Sequence, residues 1–588
     1  MQQEIQKILK NSIKNKFDIE ISEDLKLSTP PKWVEGDFSV NIWFLARDLK
    51  KNPALIAEDL VKFLKQENNE IIEEISSLNS FINIKINKSI FTKQFLDFVT
   101  PHPNPPLSGE GIKKWTIIID YIWANVWKPL HIGHMCTPNL GQAMINIYRK
   151  LGYNVIWDNH LWDWGIIFWK LIFAYKYFWE KREELEKSPI EYLLKLYIDI
   201  TKETEENPEL EEKFRETFKK LSSWDNKYIE LWKLFTSYSI KDLKKQLKRL
   251  NVKPDLNIWE SFFEGLNLPK LEDIPDLNCD MKCVVKELIE KWIATKNEDN
   301  SVWVVFDEDT KIPSCILQKR DGTHGYLASD LAAIKYRVEN WNPEKIIYFV
   351  DVRQSLHFRQ AFEVAEKASW IKKEKLFHAA NWFISLKDWA MSTRKWRIIK
   401  LDKLLDEAEQ RAKKIILEKR DDISGEELEK LAKIIWIWAI KYGYLKKNRE
   451  TDIIFDWDEF MSFEGNSGPY IQYAYVRAKR ILEKVKETGL MRPVLDSSFN
   501  SDSEIELVKK ILQYKEILEE TVKNNYPHIL ANYSYELTKI FNTFYNNISV
   551  LNEEKQDLKN LRLLLVSEFA KILKESFELL GIEMPEKM

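Results

Sequence analysis

The sequence predicts an α/β protein: a parallel-sheet domain, preceded by a small α+β domain and followed by an all-α helical bundle. Three patterns carry this expectation. The run TIIID at Thr116–Asp120 is continuously apolar, as in a strand buried on both faces, and a helix and a second strand, NVIWDN, follow it as a βαβ unit. FINIKINKSI alternates apolar and polar residues, as a half-buried strand does. Beyond about residue 462 the chain is helix upon helix, with apolar stripes such as ILANYSYELTKIFNTFY.

Taken in order, residues 1–98 mix helical and strand-like runs and form the small N-terminal domain. PHPNPPLSGEG, Pro101–Gly111, is rich in proline, glycine and serine, so residues 99–114 are a linker. The parallel-sheet domain spans 115–461, with a helix expected from about His134 to Leu151 and strand signals resuming at SVWVVFD and KIIYFVD. Between about 175 and 300 the chain is helical and highly charged, which suits an insertion into the sheet domain. Residues 462–588 form the bundle.

At 588 residues the chain is too long for one hydrophobic core. It has no apolar run near the roughly 20 residues of a membrane span, and its start, MQQEIQKILKNSIKNKF, lacks the apolar block of a signal peptide. A cytoplasmic protein without a membrane partner is expected. A net charge of −3 argues against indiscriminate polyanion binding, so a nucleic-acid partner requires local basic patches. Cys136, Cys279, Cys283 and Cys315 read as reduced thiols. Cys279 and Cys283 have the spacing of half a zinc site, but no second Cys or His pair follows, and no metal ligands are expected.

The chemistry begins at LHIGH. His131 and His134 follow the buried strand and open a helix, so their rings and the helix's free amides can converge on an anionic triphosphate and stabilise charge developing during adenylyl transfer. Two histidines satisfied by local backbone are the bland alternative. Asp120 ends the strand at the loop face, where open α/β sheets bind ligands and a carboxylate suits an ammonium group.

Six ordered segments then narrow the reading. NVxKPLHIGH from Asn125, DNHLxDWG, RDGTHGYLASDLA, DVRQSLHF, DWAMSTRKW and SFEGNSGPYIQYAYVR together resemble the arginyl-tRNA synthetases, a family of class I aminoacyl-tRNA synthetases. The resemblance runs from about Thr116 to Met588, and the first 98 residues are compatible with the family's N-terminal add-on domain, which contacts tRNA. It implies a HIGH-type Rossmann catalytic domain, a DALR-type anticodon-binding bundle, activation of L-arginine by ATP with Mg2+, and transfer of arginyl to the 3′ end of tRNA(Arg). The family generally needs tRNA for activation. A monomer is expected.

Carried over by motif, His131, Gly133, His134, Met391 and Ser392 would bind ATP, and Asp120 and Asn125 the arginine amine. Tyr326 and Asp330 would take the arginine side chain, with Gln354 nearby. Those two are four apart, so on a helix they share a face. A carboxylate grips a planar guanidinium through two parallel hydrogen bonds, whereas lysine is a point charge that leaves part of such a site unpaired. MSTRK resembles the family's mobile KMSKS loop, with Arg394 and Lys395 as catalytic cations alongside His131 and His134. Tyr470, Tyr473 and Arg477 interleave aromatics with cations, a pattern that can stack unpaired bases and track phosphates, and the resemblance adds Met588 as a further tRNA contact.

Glycine is scarce at 16 residues and tryptophan abundant at 23. Together they fill about the 7% share that glycine alone usually claims. Trp162, Trp169, Trp389, Trp396, Trp436 and Trp438 stand where the family has glycine, and Trp123 and Trp127 replace small residues of the ATP loop; Trp164 is a family tryptophan. Overpacking one close-packed site costs about 1 to 3 kcal/mol, so eight such sites threaten a total stability of about 5 to 15 kcal/mol. We hypothesise that the source genome reads one codon, most simply UGA, as glycine, and that this sequence renders that codon as tryptophan. A UGG codon at Trp162, Trp169 and Trp396 would defeat the idea.

Two rivals stand beside this reading. If the tryptophans are genuine, the chain is a tRNA-binding paralogue without catalysis. A class I synthetase for another amino acid is the second rival, against which Tyr326 with Asp330 and the lack of zinc ligands argue.

Overall fold

The computed structural model describes residues 2–21, 25–28, 30–31, 33–67, 69–100, 115–123, 127–222, 225–266, 274–382, 384–386, 400–419, 422–486 and 497–586. They form two compact units. One gathers residues 1–105, 477–515 and 536–572, the other 106–476, 516–535 and 573–588.

The first unit is built on a four-stranded antiparallel sheet in the order Leu27–Ser28, Phe38–Asn41, Phe81–Ile86, Ile72–Leu78. FINIKI is its central strand, with Ile82, Ile84 and Ile86 buried. Asn87 ends the strand and caps the next helix, Lys88–Val99, its side chain accepting the Ser89 N–H. The helix Asp502–Leu512 packs on that helix: Lys88 Nζ lies 2.9 Å from Asp502, and Phe95 meets Phe499 edge-on at 5.6 Å.

The second unit holds a four-stranded parallel sheet in the order Leu376–His378, Lys345–Phe349, Thr116–Tyr121, Asn154–Trp157. Ile117, Ile118 and Ile119 of the central strand are all buried, so the unbroken apolar run packs on both faces as its sequence requires. The expected helix after the loop begins as a 3-10 turn, Ile132–Met135, and continues as Cys136–Lys150. From residue 166 to 249 the described residues are mostly helical, the longest of these helices being Asn226–Arg249, capped by Asp225, whereas between 250 and 280 they hold one short helix, Glu260–Phe263.

Two expectations need correction. The strand in SVWVVFD, Val302–Val304, belongs to a separate three-stranded antiparallel meander with Thr295–Lys296 and Cys315–Gln318, not to the parallel sheet. Val302 and Val304 are buried against the sheet domain's core while Val305 is exposed, so the apolar run has the composition of a parallel strand without its two-sided burial. Cys279 and Cys283 are a disulfide and not two thiols: the cap at Asp280 turns the chain so that their Cα atoms lie 5.2 Å apart. No helix among the described residues is long and apolar enough to cross a membrane.

Candidate active site

The chain leaves the strand Thr116–Tyr121 for one side of the parallel sheet and returns on the other at Lys345–Phe349. The strand order therefore reverses between these two, and a crevice opens beyond their carboxyl ends, the place where open α/β sheets bind ligands. Ile122 and Trp123 follow the first strand and Val350 and Asp351 the second. All four line a cavity of about 290 Å³ with His131, Gly133, His134, Thr137, Arg353 and Gln354.

The loop holds its histidines by backbone hydrogen bonds. The Gly133 N–H donates to His131 Nδ1 at 3.1 Å and the His131 N–H to His134 Nδ1 at 3.1 Å, with the two rings 3.9 Å apart. With Nδ1 accepting in each, a neutral ring carries its proton on Nε2 and offers it as a donor. Burial, helped by Lys128 and Arg353, pulls His131 down to about 4, and burial with the His131 and Lys128 neighbours pulls His134 well below its ordinary value. Neutral rings of this kind are hydrogen-bond donors and not cations. A Cβ at residue 133 would stand 2.9 Å from the His131 ring, so glycine is required there.

A second cavity, of about 400 Å³, is lined by Trp164, Gly165, Glu260, Glu264, His324, Tyr326 and His357 among others. Tyr326 opens the helix Tyr326–Trp341, and Asp330 lies one turn on, as the spacing predicts. Asp330 is buried, and His357 Nε2 holds its Oδ2 at 2.6 Å. Sequence reasoning missed Glu260. It is buried on the cavity wall, its Oε2 has no hydrogen-bond partner among the described residues, and burial followed by the charges of Asp163, Asp330 and Glu264 raises its pKa well above the usual carboxylate range. A buried acid with an empty acceptor beside a phenol is a seat for a cation. Its only signal in the sequence is an acid embedded in the apolar run NIWESFF.

Asp120 is placed differently from its expected exposure to ligand. Its Oδ2 accepts from Arg337 Nη2 at 2.7 Å and its Oδ1 from the Trp123 indole at 3.1 Å. Arg337 also binds Asp158 and sits wholly buried between the two acids. Burial outweighs that cation and raises Asp120 to about 7.

The tryptophans crowd the site. Trp162 lines the smaller cavity while its ring stacks on Tyr326 of the larger at 4.5 Å and 23°, and Trp123 lies 5.8 Å from Trp162. Two indoles thus stand between the cavities. Trp123 is held in a left-handed backbone (φ 48°), directly after Ile122 at φ 92°. Trp127, Trp436 and Trp438 are buried with indole N–H groups that meet no acceptor among the described residues. Trp169 is buried on the wall of the larger cavity.

Of the remaining expected residues, Gln354 lines the smaller cavity. Tyr470, Tyr473 and Arg477 share the helix Gly468–Lys486; Tyr473 is exposed, Tyr470 meets Tyr535 at 5.9 Å, and Arg477 lies 4.7 Å over the Tyr545 ring. Asn125, Met391, Ser392, Arg394, Lys395 and Met588, with Trp389 and Trp396, lie outside the described residues.

A histidine-bearing loop at the switch point of a parallel sheet, joined to a helical C-terminal region, defines a class I aminoacyl-tRNA synthetase. Residues 108–457 match the family model "tRNA synthetases class I (R), catalytic domain", residues 471–588 the DALR anticodon binding domain and residues 3–86 the arginyl tRNA synthetase N terminal domain. The chain belongs to the arginyl-tRNA synthetase family. It is 37% identical to the arginine–tRNA ligase of Clostridium beijerinckii, with 98% of each chain covered, and 36% identical to that of Clostridium perfringens, with 99% of each covered. Among solved structures it is similar to the arginyl-tRNA synthetase of Plasmodium falciparum, at 27% identity and a TM-score of 0.79 over 100% of this chain and 99% of that one. It shares its fold with the Thermus thermophilus enzyme, at a TM-score of 0.78 and 24% identity over 100% of both chains.

Proposed function

We propose that the larger cavity takes the arginine side chain and the smaller one the nucleotide of ATP, and that the enzyme joins them as arginyl-adenylate before transfer to tRNA(Arg). The observation that carries this reading is Glu260, a buried acid on the wall of the larger cavity with Tyr326, whose Oε2 has no hydrogen-bond partner among the described residues, with the pinned Asp330 close by and a second cavity lined by His131 and His134. Glu260 and Asp330 receive the guanidinium and Tyr326 adds a third hydrogen bond. Asn125 and Asp120 receive the amine, with Gln354 at the junction. In the glycine form of the chain the Trp123 indole is gone, and the Asp120 oxygen it occupies is free for that ammonium.

The arginine carboxylate oxygen attacks the α-phosphorus, the bond to the bridging oxygen breaks, and pyrophosphate leaves with the electron pair. His131 and His134 donate their Nε2 protons as hydrogen bonds to phosphate oxygens, supported by the Gly133 loop, Met391 and Ser392. Arg394 and Lys395 neutralise charge on the departing pyrophosphate. Mg2+ is assigned to the triphosphate as its counter-ion. A 3′-terminal ribose hydroxyl of the tRNA then attacks the activated carbonyl and AMP leaves. Tyr470, Tyr473, Arg477 and Met588 contact the anticodon region. We assign 1–98 to the N-terminal tRNA-contacting domain, 99–114 to the linker, 115–461 to catalysis and 462–588 to anticodon binding, in a monomeric, cytoplasmic enzyme.

The test uses protein made with glycine at the eight suspect positions. Glu260→Gln is expected to raise the KM for arginine about 100-fold, a loss of about 2.7 kcal/mol, while leaving the KM for ATP within about threefold. Equal effects on both substrates would remove Glu260 from the arginine pocket.

A further inference from the structure

Two tryptophans outside the sequence motifs stand in left-handed backbone at helix ends. The helix Ile166–Tyr177 ends at Phe178, and the next residue, Trp179, turns left-handed at φ 72° so that the Glu180 N–H reaches the Tyr175 carbonyl at 2.9 Å. The helix Met281–Glu290 ends at Lys291, and Trp292, at φ 60°, does the same. There the Trp292 N–H donates to Ile289 O at 3.0 Å and the Ile293 N–H to Leu288 O at 2.9 Å. This is the Schellman closure, which needs a left-handed residue just past the helix and strongly favours glycine.

The same chain closes other helices in the same way with glycine. Gly152, at φ 89°, donates to Arg149 O while the Tyr153 N–H reaches Tyr148 O at 3.1 Å, and Gly581, at φ 72°, stands at an equivalent closure after Leu579. A bulky residue at positive φ is a genuine outlier, because its Cβ crowds the following carbonyl. It persists when packing holds it in place. No such packing is available here: Trp179 is 87% exposed and Trp292 is 95% exposed. Other tryptophans behave as tryptophans should. Trp232 is buried and its indole N–H donates to Asp163 O at 2.8 Å, and the Trp370 indole donates to Glu287 Oε1 at 2.8 Å.

We propose that Trp179 and Trp292 are glycine in the natural protein, encoded by the codon that also stands at Trp162 and Trp169, whereas Trp232 and Trp370 are true tryptophans. The inference rests on backbone handedness at two helix ends and is independent of the assignment of the catalytic pocket. It enlarges the set of recoded positions from the active-site and core motifs to exposed helix ends, as a change of genetic code demands and a selected loss of catalysis does not.

Peptide mass mapping of the protein purified from its natural source tests it. The expected masses are those of glycine at 179 and 292 and of tryptophan at 232 and 370; a tryptophan mass at either 179 or 292 overturns the proposal. A second measurement uses recombinant chain already carrying glycine at the eight motif positions. Trp179→Gly and Trp292→Gly are each expected to raise the melting temperature, and to raise it further than Trp179→Ala and Trp292→Ala, because alanine keeps the Cβ. Alanine forms as stable as the glycine forms would show that handedness is not what these positions select, and would overturn it equally.

Discussion

His357 Nε2 lies 2.6 Å from Asp330 Oδ2, joining the helix Ser355–Lys367 to the helix Tyr326–Trp341 behind the phenol of Tyr326. The pin fixes one oxygen of a buried carboxylate. A hydrogen bond to a charged group contributes about 1.5 to 3 kcal/mol. In the glycine form of the enzyme, His357→Gln is therefore expected to raise the KM for arginine about tenfold with kcat changed less than threefold, since glutamine can still donate weakly. A loss confined to kcat would show that His357 serves the chemical step and not the pocket.

The indoles at 123 and 162 stand between the two cavities that an adenylate must span. Starting from the eight-glycine form, reverting residue 162 alone to tryptophan is expected to lower kcat/KM for arginine activation at least about 100-fold, or about 2.7 kcal/mol. Reverting residue 438 alone, which lies on the helix Gly425–Leu445 and lines neither cavity, is expected to lower the melting temperature more than kcat/KM. Steady-state ATP–pyrophosphate exchange and thermal denaturation on the two revertants separate these effects.

The loop histidines should be neutral in the free enzyme. Both folded pKa values lie below the ordinary value of 6.5, His131 at about 4 and His134 well below its ordinary value, in each case chiefly through burial. In the unfolded chain each takes up a proton near 6.5, so the stability they contribute is present above that pH and lost as pH falls toward 4. Nitrogen-15 NMR of the imidazoles is expected to report neutral rings with the proton on Nε2 from pH 6 to 8. A ring titrating near 6.5 would contradict the buried, backbone-bonded geometry.

Asp163 gives a prediction of opposite sign. Its carboxylate is buried and accepts from the Ser261 N–H at 2.9 Å and the Ser261 hydroxyl at 2.5 Å, yet burial still raises it to about 7. A carboxyl raised in the folded state contributes stability that is complete below about 3.8 and is lost as pH rises through 7. The loss has an upper bound of about 4 kcal/mol at 1.36 kcal/mol per unit. Asp163→Asn keeps an acceptor for the Ser261 N–H and removes the titration. Denaturant midpoints between pH 5 and 8 are expected to fall less steeply in that variant, and an unchanged slope would place the titrating group elsewhere.

Much of this was legible in the sequence because the signals are local. The Thr116–Asp120 run, the HIGH turn and the spacing of Tyr326 to Asp330 depend on near neighbours, and each forms the element expected of it. What the sequence hid depends on distant partners. Val302–Val304 looks like a sheet strand because it is buried, and nothing within it reveals that its neighbours are Thr295–Lys296 and Cys315–Gln318. Arg337 occupies Asp120 from 217 residues away, and Glu260 faces the larger cavity only because the insertion folds back onto the sheet domain. Trp179 and Trp292 stand in no motif, and the sign of φ sets them apart.

Specificity for arginine is measured by ATP–pyrophosphate exchange with the glycine form of the chain, with and without tRNA(Arg), offering arginine or lysine. A pocket of buried acids and a phenol built for a forked, planar cation should leave groups unpaired around an ammonium, a difference worth about 10⁴-fold in rate. Exchange is expected with arginine, and with lysine lower by about that factor. Exchange driven as well by lysine, or none with arginine in the presence of tRNA, would contradict that expectation.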